Sequence, residues 1–525
     1  MGEAFRLAVI ADAHFHDPEG DFGTGIVLNG QRLALRSGAE TATAARAFNE
    51  SAAALVAALD RIVAARISLV VLAGDYTDDG QAENTRRLAR LLHDYRARHG
   101  LRFFAIPGNH DCYALTGKHI AATHLHAPGV GRLVTSDPAL AKATAGAEFT
   151  GAMRCAGVAD ALEPMAGFGL RRSPDHLHWE SPFGSSDRPE DRQYSARSAD
   201  GTIAHRLMDG SYLVEPEPGL WLLMLDANVF EPRPGIADPR RKRAFFDPAD
   251  AGWNAVLRIK PFLLDWIGDV CARAERLGKV LVTVSHYPVL PPFGDETGSE
   301  AALFPDSTLA RRSPGLDVAK ALVAAGLRVH LGGHLHVVSR AQAMGLTDFS
   351  LPSTVAHPAA FSVLTATPQR QSVETVSLAD LPTDPRLDRL YQAEGARPAP
   401  TDFGGFLTRQ RRCRLLHHRL PRDLPPAVMA ALRDQPLPGL LALLTTEPAA
   451  CFAQRHGLRL PDIPALEVIS DALMLREAGA LANLPPARMA LCRALARAFG
   501  TITADPSHSP AEWLARFFAI RGQDT

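Results

Sequence analysis

The first two thirds of the chain alternate short apolar runs with longer amphipathic stretches. Buried strands are predicted where the runs are rich in Val, Ile, Leu and Phe, at residues 6–11, 67–73, 101–106, 279–284 and 328–331. Helices are predicted where apolar residues recur at helical spacing, at residues 42–66, 81–99, 260–277 and 316–325. The β-α-β-α-β order at the start predicts an α/β fold with parallel strands covered by helices.

The pattern weakens between residues 112 and 255, where Gly, Pro and Ser are frequent and only a hairpin, residues 211–214 and 220–226, is distinct. Short strands are predicted to continue to about residue 378. Residues 379–400 are rich in Pro, Asp and Arg and are predicted to form a linker. Residues 401–525 are rich in Leu, Ala and Arg, which predicts an all-α module of short helices. We therefore expect one domain over residues 1–378 and a second over 401–525.

Polar residues suited to metal binding follow each of the predicted strands. They are Asp12 and His14, Asp75, Asn109 and His110, His286, and His334 and His336. Because ligands bind at the carboxyl ends of strands in α/β sheets, we expect these side chains to meet. Their donors are nitrogen and oxygen without sulfur, which suits two ions of Mn, Fe, Zn or Co without choosing among them.

Composition narrows the possible partners. The formal net charge is −1, so neither nucleic acid nor a membrane surface is expected as a partner. No apolar run is long enough to span a membrane, and the N-terminus lacks the pattern of a signal peptide. The 6 cysteines show no CxxC spacing, which fits a reducing compartment, and a cytoplasmic protein is expected.

In chain order, the motifs DAH, GD, GNHD, SHYP and GGHLH resemble those of the calcineurin-like metallophosphoesterases. Each motif is weak alone, but the ordered set is specific, and the resemblance covers about residues 5–370. It implies a four-layer α/β/β/α sandwich that carries a binuclear metal site in its loops, here followed by the C-terminal all-α module.

The resemblance also implies a role for each site residue. Asp12, His14 and His336 would hold one ion, Asn109, His286 and His334 the other, and Asp75 would bridge them. Two divalent ions outweigh the two carboxylates and a bridging hydroxide, the expected nucleophile, by roughly one positive charge, which attracts a phosphate. His110 would not be a ligand; it would stabilise the developing charge on phosphorus or protonate the leaving oxygen, oriented by Asp111.

Some residues near the motifs allow two interpretations or exclude a branch of the family. The purple acid phosphatases have a tyrosine three residues after the bridging aspartate, where this chain has Asp78, so that branch is excluded. Asp78 and Asp79 are predicted to be turn and cap residues. Asp226 and Asn228 either support the metal site or form an ordinary strand-end turn.

The function expected from these motifs is hydrolysis of a small phosphoester. We favour a phosphodiesterase acting on a small diester such as a cyclic nucleotide. A phosphomonoesterase or nucleotidase is the alternative, and a non-catalytic scaffold or a nuclease is less favoured. The long segment 112–255 is expected to shape the substrate pocket, and the basic run 409–422 to be a solvated helix face.

Overall fold

Two mixed β-sheets pack together at the centre of the fold in a computed structural model of the chain. The structure describes residues 4–241, 243–295, 297–395, 402–499 and 509–521. One continuous apolar core draws residues from both sheets, and helices cover the outer faces. The chain therefore forms the predicted four-layer α/β/β/α sandwich, followed by a C-terminal helical region.

The strands in the described part of the chain are numbered β1 to β19. In chain order they are Phe5–Ile10, Ile26–Leu28, Gln31–Leu33, Leu69–Ala73, Arg102–Ile106, Ala121–Ala127, Val130–Thr135, Glu148–Phe149, His178–Glu180, Gln193–Arg197, Ala204–Met208, Tyr212–Glu217, Leu220–Leu225, Val280–Ser285, Val329–Gly332, Ser339–Ala343, Leu346–Ser350, Ala360–Ala366 and Gln371–Ser377.

The first sheet has the spatial order β19-β18-β1-β4-β5, and its β1, β4 and β5 are parallel. The second has the order β16-β17-β15-β14-β13-β12-β9, and its β13, β14 and β15 are parallel. Every residue of β4 and of β13 is buried, as expected for central strands covered on both faces. The sequences of β4, LVVLA, and of β13, LWLLML, are therefore uniformly apolar and lack the alternation of a half-exposed strand.

The α-helices of the described residues are numbered α1 to α19. In chain order they are Gly38–Thr43, Ser51–Ala64, Ala82–His99, Pro138–Ala143, Val158–Leu162, Pro248–Ile259, Phe262–Arg276, Ser299–Leu303, Thr308–Arg312, Leu316–Ala324, Pro385–Ala393, Phe403–Arg414, Leu420–Asp423, Pro426–Leu432, Leu437–Leu444, Ala449–Arg455, Ala465–Ala478, Pro486–Phe499 and Pro510–Ala519.

The predicted strands that carry the polar motifs all exist, each within two residues of its predicted limits. The helices predicted at 81–99, 260–277 and 316–325 and the hairpin β12–β13 also exist. The single helix predicted over 42–66 is wrong at its start, because α1 ends at Thr43 and α2 begins at Ser51. Between them the Ala47 N–H donates to Val355 O, a tertiary hydrogen bond that holds this stretch in a loop.

The C-terminal helices have their own apolar core, to which α8 of the N-terminal part contributes Leu303. They are also attached to the sandwich by polar contacts. Arg476 pairs with Glu300 at 2.6 Å, and His357 Nε2 hydrogen-bonds to Ala482 O at 2.8 Å. The segment predicted to be a linker contains α11, while residues 396–400 lie outside the described part; the domain limits stay a prediction.

Helix α11 docks on the sandwich through a buried carboxyl group. The Tyr391 hydroxyl donates to Glu50 Oε1 at 2.9 Å, while Glu50 Oε2 is buried without a hydrogen-bond partner in the described structure. Burial raises the pKa of Glu50 from 4.5 to about 7. The folded state therefore favours the protonated acid, and stability falls as pH rises from about 4.5 to about 7.

Replacing Glu50 with Gln is expected to stabilise the protein by about 2 kcal/mol at pH 8, because the variant buries no charge. The advantage over the unaltered protein should disappear below about pH 3.5, where the acid is protonated in both states. Thermal unfolding midpoints at the two pH values measure the difference, with the exposed Glu19→Gln as control. An equal effect at both pH values would contradict the assignment.

Candidate metal centre

The first predicted ligand group lies where β1 and β15 end. His336 Nε2 is 3.2 Å from Asp12 Oδ1 and 3.2 Å from His14 Nε2. Ligand atoms of Asp12, His14 and His336 all lie within 4.8 Å of one another. Two ring nitrogens that face each other at 3.2 Å either share one proton or point at the same cation, so this arrangement suits a metal ion.

The second group lies where β4, β5 and β14 end. His286 Nε2 is 3.3 Å from Asp75 Oδ2 and 3.2 Å from Asn109 Oδ1. Asp75, His286 and His334 form a further cluster with ligand atoms within 4.8 Å of one another. Since Asp75 Oδ2 is also 3.9 Å from His14 Nε2, the Asp75 carboxylate lies between the two groups. The structure thus brings together every residue predicted to be a ligand.

The histidines of the second group each have one ring nitrogen occupied by a backbone carbonyl. His286 Nδ1 hydrogen-bonds to Ala73 O at 3.1 Å and His334 Nε2 to Ala249 O at 2.8 Å. The other nitrogen of each ring is therefore left for a metal, as in metal sites generally. Burial holds the pKa of His14 and of His334 well below the ordinary value, so both rings are neutral and able to bind a metal.

Asp75 and His286 differ from these neutral rings. Burial would raise the pKa of Asp75, but His286, His110 and His14 together outweigh burial and hold the pKa well below the ordinary value. Burial by itself would lower the pKa of His286, but Asp75, together with Asp12 and the Ala73 carbonyl, raises it to about 9. The negative charge of Asp75 is thus balanced by the positive charge of His286. Bound metal ions would balance the Asp75 charge instead. The donor set therefore fits metal ions.

Backbone strain is concentrated at the predicted ligands. Five of them have φ between +41° and +69°, the left-handed region that non-glycine residues avoid: Asp12, His14, Asp75, His334 and His336. Each such residue costs on the order of 1 kcal/mol or more, and such strain clusters at functional sites. The surrounding structure therefore holds these side chains in place at the expense of stability.

Two glycines of the motifs allow the ligands to approach closely. A Cβ at Gly108 would lie 2.2 Å from Asp75 Oδ1, and a Cβ at Gly333 would lie 2.3 Å from Asp12 Oδ2. Neither carboxylate can move away, because Asp75 accepts the His110 N–H at 2.7 Å and Asp12 accepts the His334 N–H at 2.9 Å. Glycine is thus required at position 108, where the chain passes the Asp75 carboxylate, and at position 333, where it passes the Asp12 carboxylate.

His110 lines the cavity over the site, as its predicted role requires, but its partner differs from the predicted one. His110 Nδ1 hydrogen-bonds to Asp79 Oδ1 at 2.8 Å, and Arg46 Nη2 lies 3.4 Å from the same nitrogen. Asp79 was predicted to cap α3, which instead begins after Gln81 without a side-chain cap. Asp79 rather than Asp111 is therefore placed to orient the ring.

Asp111 braces the two loops instead. Its carboxylate accepts hydrogen bonds from the backbone N–H groups of Tyr76, Thr77 and Gly108. Burial and the charge of Asp75 raise the pKa of Asp111 to about 7. The predicted contact between Asp111 and His110 is wrong, and the residue holds the bridging and GNHD loops together.

Asn228 also supports the GNHD turn, which resolves the alternatives left open for it. Its Nδ2 donates to the carbonyls of Pro107 and Gly108 at 3.2 and 3.0 Å, and its Oδ1 accepts from the Tyr287 hydroxyl at 2.8 Å. Asp226 is tied to the fully buried Lys260 at 3.2 Å. Asn228 thus connects the strand end of β13 to both ligand-bearing loops.

A hydrogen-bonded serine, histidine and aspartate lie beneath the SHYP loop. Ser285 Oγ is 2.8 Å from His330 Nε2, and His330 Nδ1 is 2.8 Å from Asp348 Oδ1. All three are buried and none lines the cavity over the metal site, so they cannot reach a substrate. Asp348 Oδ2 accepts the N–H groups of Val289 and Leu290, which fixes the loop that follows His286.

A cavity of about 420 Å³ lies over the site. Its walls come from loops around Arg46, Arg312 and Leu335, and its roof comes from the C-terminal helices, including Arg411 and Arg414. None of the described residues of the 112–255 segment lines it, so the expectation that this segment shapes the pocket is wrong for this cavity. The basic run 409–422 is likewise not a purely solvated face. Both errors arise because the C-terminal helices fold back over the metal site.

Two residues beside the site could not be assigned a role from the sequence. Asp79 stands four positions after Asp75 in GDYTDDG, and a carboxylate that close to the GNHD loop was the available signal. Arg46 stands in an Ala-rich stretch, and nothing in the sequence indicates a role for it. It reaches the site because α2 begins only at Ser51, which leaves Arg46 in a loop. Its Nη2 pairs with Asp78 Oδ1 at 2.7 Å.

Comparisons with known proteins agree with this geometry. Residues 5–139 match a family model described as calcineurin-like phosphoesterase. Residues 5–139 are therefore similar to the calcineurin-like phosphoesterases, a superfamily of metal-dependent hydrolases, as the motifs indicated. A comparison with curated protein sequences gave no match. None of the helices in the described ranges has the length and apolarity needed to cross a membrane.

Two solved structures are similar over most of the chain. A dimetal phosphatase from Danio rerio is 15% identical, with a TM-score of 0.35, and the match covers 71% of this chain and 99% of that one. A phosphopantetheinyl hydrolase from Mycobacterium tuberculosis is 12% identical, with a TM-score of 0.25, covering 67% and 91%. Likeness at this level does not bear on the substrate.

Proposed function

We propose that this protein is a binuclear metal-dependent hydrolase of small phosphodiesters. The observation that carries the proposal is the meeting of all seven predicted ligands at one end of both sheets, beneath a cavity of about 420 Å³. A cavity of this volume suits a small molecule. In the proposal Asp12, His14 and His336 hold one ion, Asn109, His286 and His334 the other, and Asp75 both.

Two ions of Mn, Fe, Zn or Co would supply Lewis acidity and lower the pKa of bound water. The chain's own contribution to the reaction is His110. Asp79 holds Nδ1 of this ring, which leaves Nε2 to donate a proton to the leaving oxygen. Burial would raise the pKa of Asp79, but the hydrogen bond and charge of His110, together with the charge of Arg46, lower it below the ordinary value, so the carboxylate stays charged and holds the ring in place.

Charge balance favours a diester over a monoester. The predicted centre keeps roughly one positive charge, which matches the single charge of a diester and not the two of a monoester. The guanidinium groups that line the cavity beside the metal ligands are held by carboxylates, Arg46 by Asp78 and Arg312 by Asp250 at 3.2 Å. They are therefore poorly placed to neutralise a second charge on the scissile phosphate.

A substrate panel tests the proposal. With Mn²⁺ added, kcat/KM for bis-p-nitrophenyl phosphate is expected to exceed that for p-nitrophenyl phosphate, and chelation should abolish both activities. The Asp75→Asn variant, purified in parallel, controls for contaminating phosphatases. A clear preference for the monoester would replace the proposal by a phosphomonoesterase or nucleotidase.

Two other outcomes would contradict the proposal that the protein hydrolyses small esters. Less than one ion per chain together with no hydrolysis of any ester would favour a non-catalytic scaffold. Cleavage of DNA with steeply salt-dependent binding would favour a nuclease. The near-zero net charge and the small cavity favour neither.

A further inference from the structure

The roof of the cavity is made by α12 and the helical turn that follows it, Leu415–Arg419. This roof is attached to the loop between α1 and α2. Gln410 Nε2 donates to Thr41 O at 2.6 Å and to Arg46 O at 2.9 Å. Because Arg46 in turn contacts His110, a short series of contacts connects the roof to the reacting end of the site.

The roof brings several arginines over the metal site, and two of the three that line the cavity pair with carboxylates of neighbouring helices. Arg411 forms a two-point pair with Glu477, and Arg419 pairs with Asp423 at 3.0 Å. Charged pairs of this kind offer little net attraction to an anion. Arg414 is the remaining arginine of the roof that lines the cavity.

Arg414 lines the cavity and has no carboxylate partner among the described residues. Its Nη1 donates to Thr43 O at 2.9 Å, and its buried Nε has no hydrogen-bond partner there. Burial and the neighbouring Arg411 and Arg419 lower the pKa of Arg414 to about 10. Its positive charge is therefore uncompensated, and an anion beside it would supply the missing hydrogen-bond acceptor and the missing charge.

We propose that Arg414 binds a second anionic group of the substrate, a phosphate or a carboxylate on the arm that points away from the metals. This inference rests on the proposed function, and it narrows the substrate class to small phosphodiesters with an additional anionic group. The guanidinium fork suits the planar or trigonal array of oxygens in either group. Leu335 and Leu415 line the cavity with it and provide apolar surface for the arm between the two charges.

Binding of phosphonates tests the assignment without turnover. Isothermal titration calorimetry on the full chain with Mn²⁺ compares alkylphosphonates with ω-carboxyalkylphosphonates of increasing arm length. At the best length the terminal carboxylate is expected to tighten binding by about 10- to 100-fold, the range of a charge-assisted hydrogen bond. Equal affinity for both series at every length would overturn the proposal.

Three variants separate the role of Arg414 from a general effect of charge or folding. Arg414→Met should abolish the preference for the carboxylate series, and Arg414→Lys should keep part of it because the charge remains. Arg422→Met is the control, since Arg422 lies on the same segment, pairs with Asp423 at 2.7 Å and does not line the cavity. A preference that survives in Arg414→Met, with a normal unfolding midpoint, would also overturn the proposal.

Kinetics distinguish the failure of this inference from the failure of the proposed function. The substrates are 4-nitrophenyl phosphodiesters whose second arm ends in a methyl, a carboxylate or a phosphate group. Hydrolysis of the methyl compound by the unaltered protein reports on the proposed function alone. The ratio of KM between the methyl and the anionic compounds reports on Arg414. A ratio near one with normal hydrolysis would refute the inference and leave the proposed function standing.

Discussion

An Asp75→Asn variant is expected to keep its fold and lose its metal ions. The Asp75 carboxylate lies between the two ligand groups, 3.3 Å from His286 Nε2 and 3.9 Å from His14 Nε2. An amide of the same shape still accepts the His110 N–H but carries no charge to hold two cations. We expect metal affinity to fall by more than about 100-fold, beyond the loss of a merely supporting residue.

Metal content after desalting, measured by mass spectrometry, decides this prediction. The matched control is Asp94→Asn, an exposed aspartate of α3 whose side chain is 69% accessible. The control should retain the metal content of the unaltered protein. Two ions per chain in Asp75→Asn would mean that another group bridges the centre, and the ligand assignment would be wrong.

A His110→Ala variant is expected to show the opposite behaviour, with both ions retained and most turnover lost. The ring lines the cavity and is oriented by Asp79, which suits a group that protonates the leaving oxygen. Loss of such a group costs about 10²- to 10⁴-fold in rate. Rates with a good leaving group, such as p-nitrophenolate, should fall less than rates with an alkoxide, because the former leaves without a proton.

The structure also supports a competing role for this residue, since ligand atoms of His14, Asp75 and His110 lie within 4.8 Å of one another. If His110→Ala loses an ion, His110 is a ligand and its assigned role is wrong. Asp79→Asn provides a second measurement. It should retain both ions and lower kcat by about 10-fold, because an amide holds the ring less firmly than a carboxylate.

Much of the site could be predicted because its parts are local. Each ligand follows an apolar run within a few residues, and an apolar run flanked by helical patterns becomes a central parallel strand wherever it occurs. Parallel strands all have their carboxyl ends at the same edge of the sheet. Asp12, Asp75 and Asn109 therefore meet as a consequence of strand direction, which is why the motifs identified the site and the family together.

The contacts around the ligands depend on residues far apart in the chain. Asp79 was interpreted as a helix cap because capping needs only neighbouring residues, whereas its bond to His110 needs β4 and β5 to lie side by side. Arg46 was placed in a helix because an Ala-rich stretch favours one. The hydrogen bond from Ala47 N to Val355 O, more than 300 residues away, holds a loop there instead.

The sequence by itself thus determined the strands, the candidate ligands that meet at their ends and the class of chemistry. The tertiary structure decided what surrounds that chemistry: which carboxylate orients His110, and which segment covers the cavity. Helical pattern shows that residues 403–414 form a helix, but not which surface that helix packs against. Packing depends on complementary surfaces formed only after both parts fold, so the uncompensated charge of Arg414 over the metal site became visible only in three dimensions.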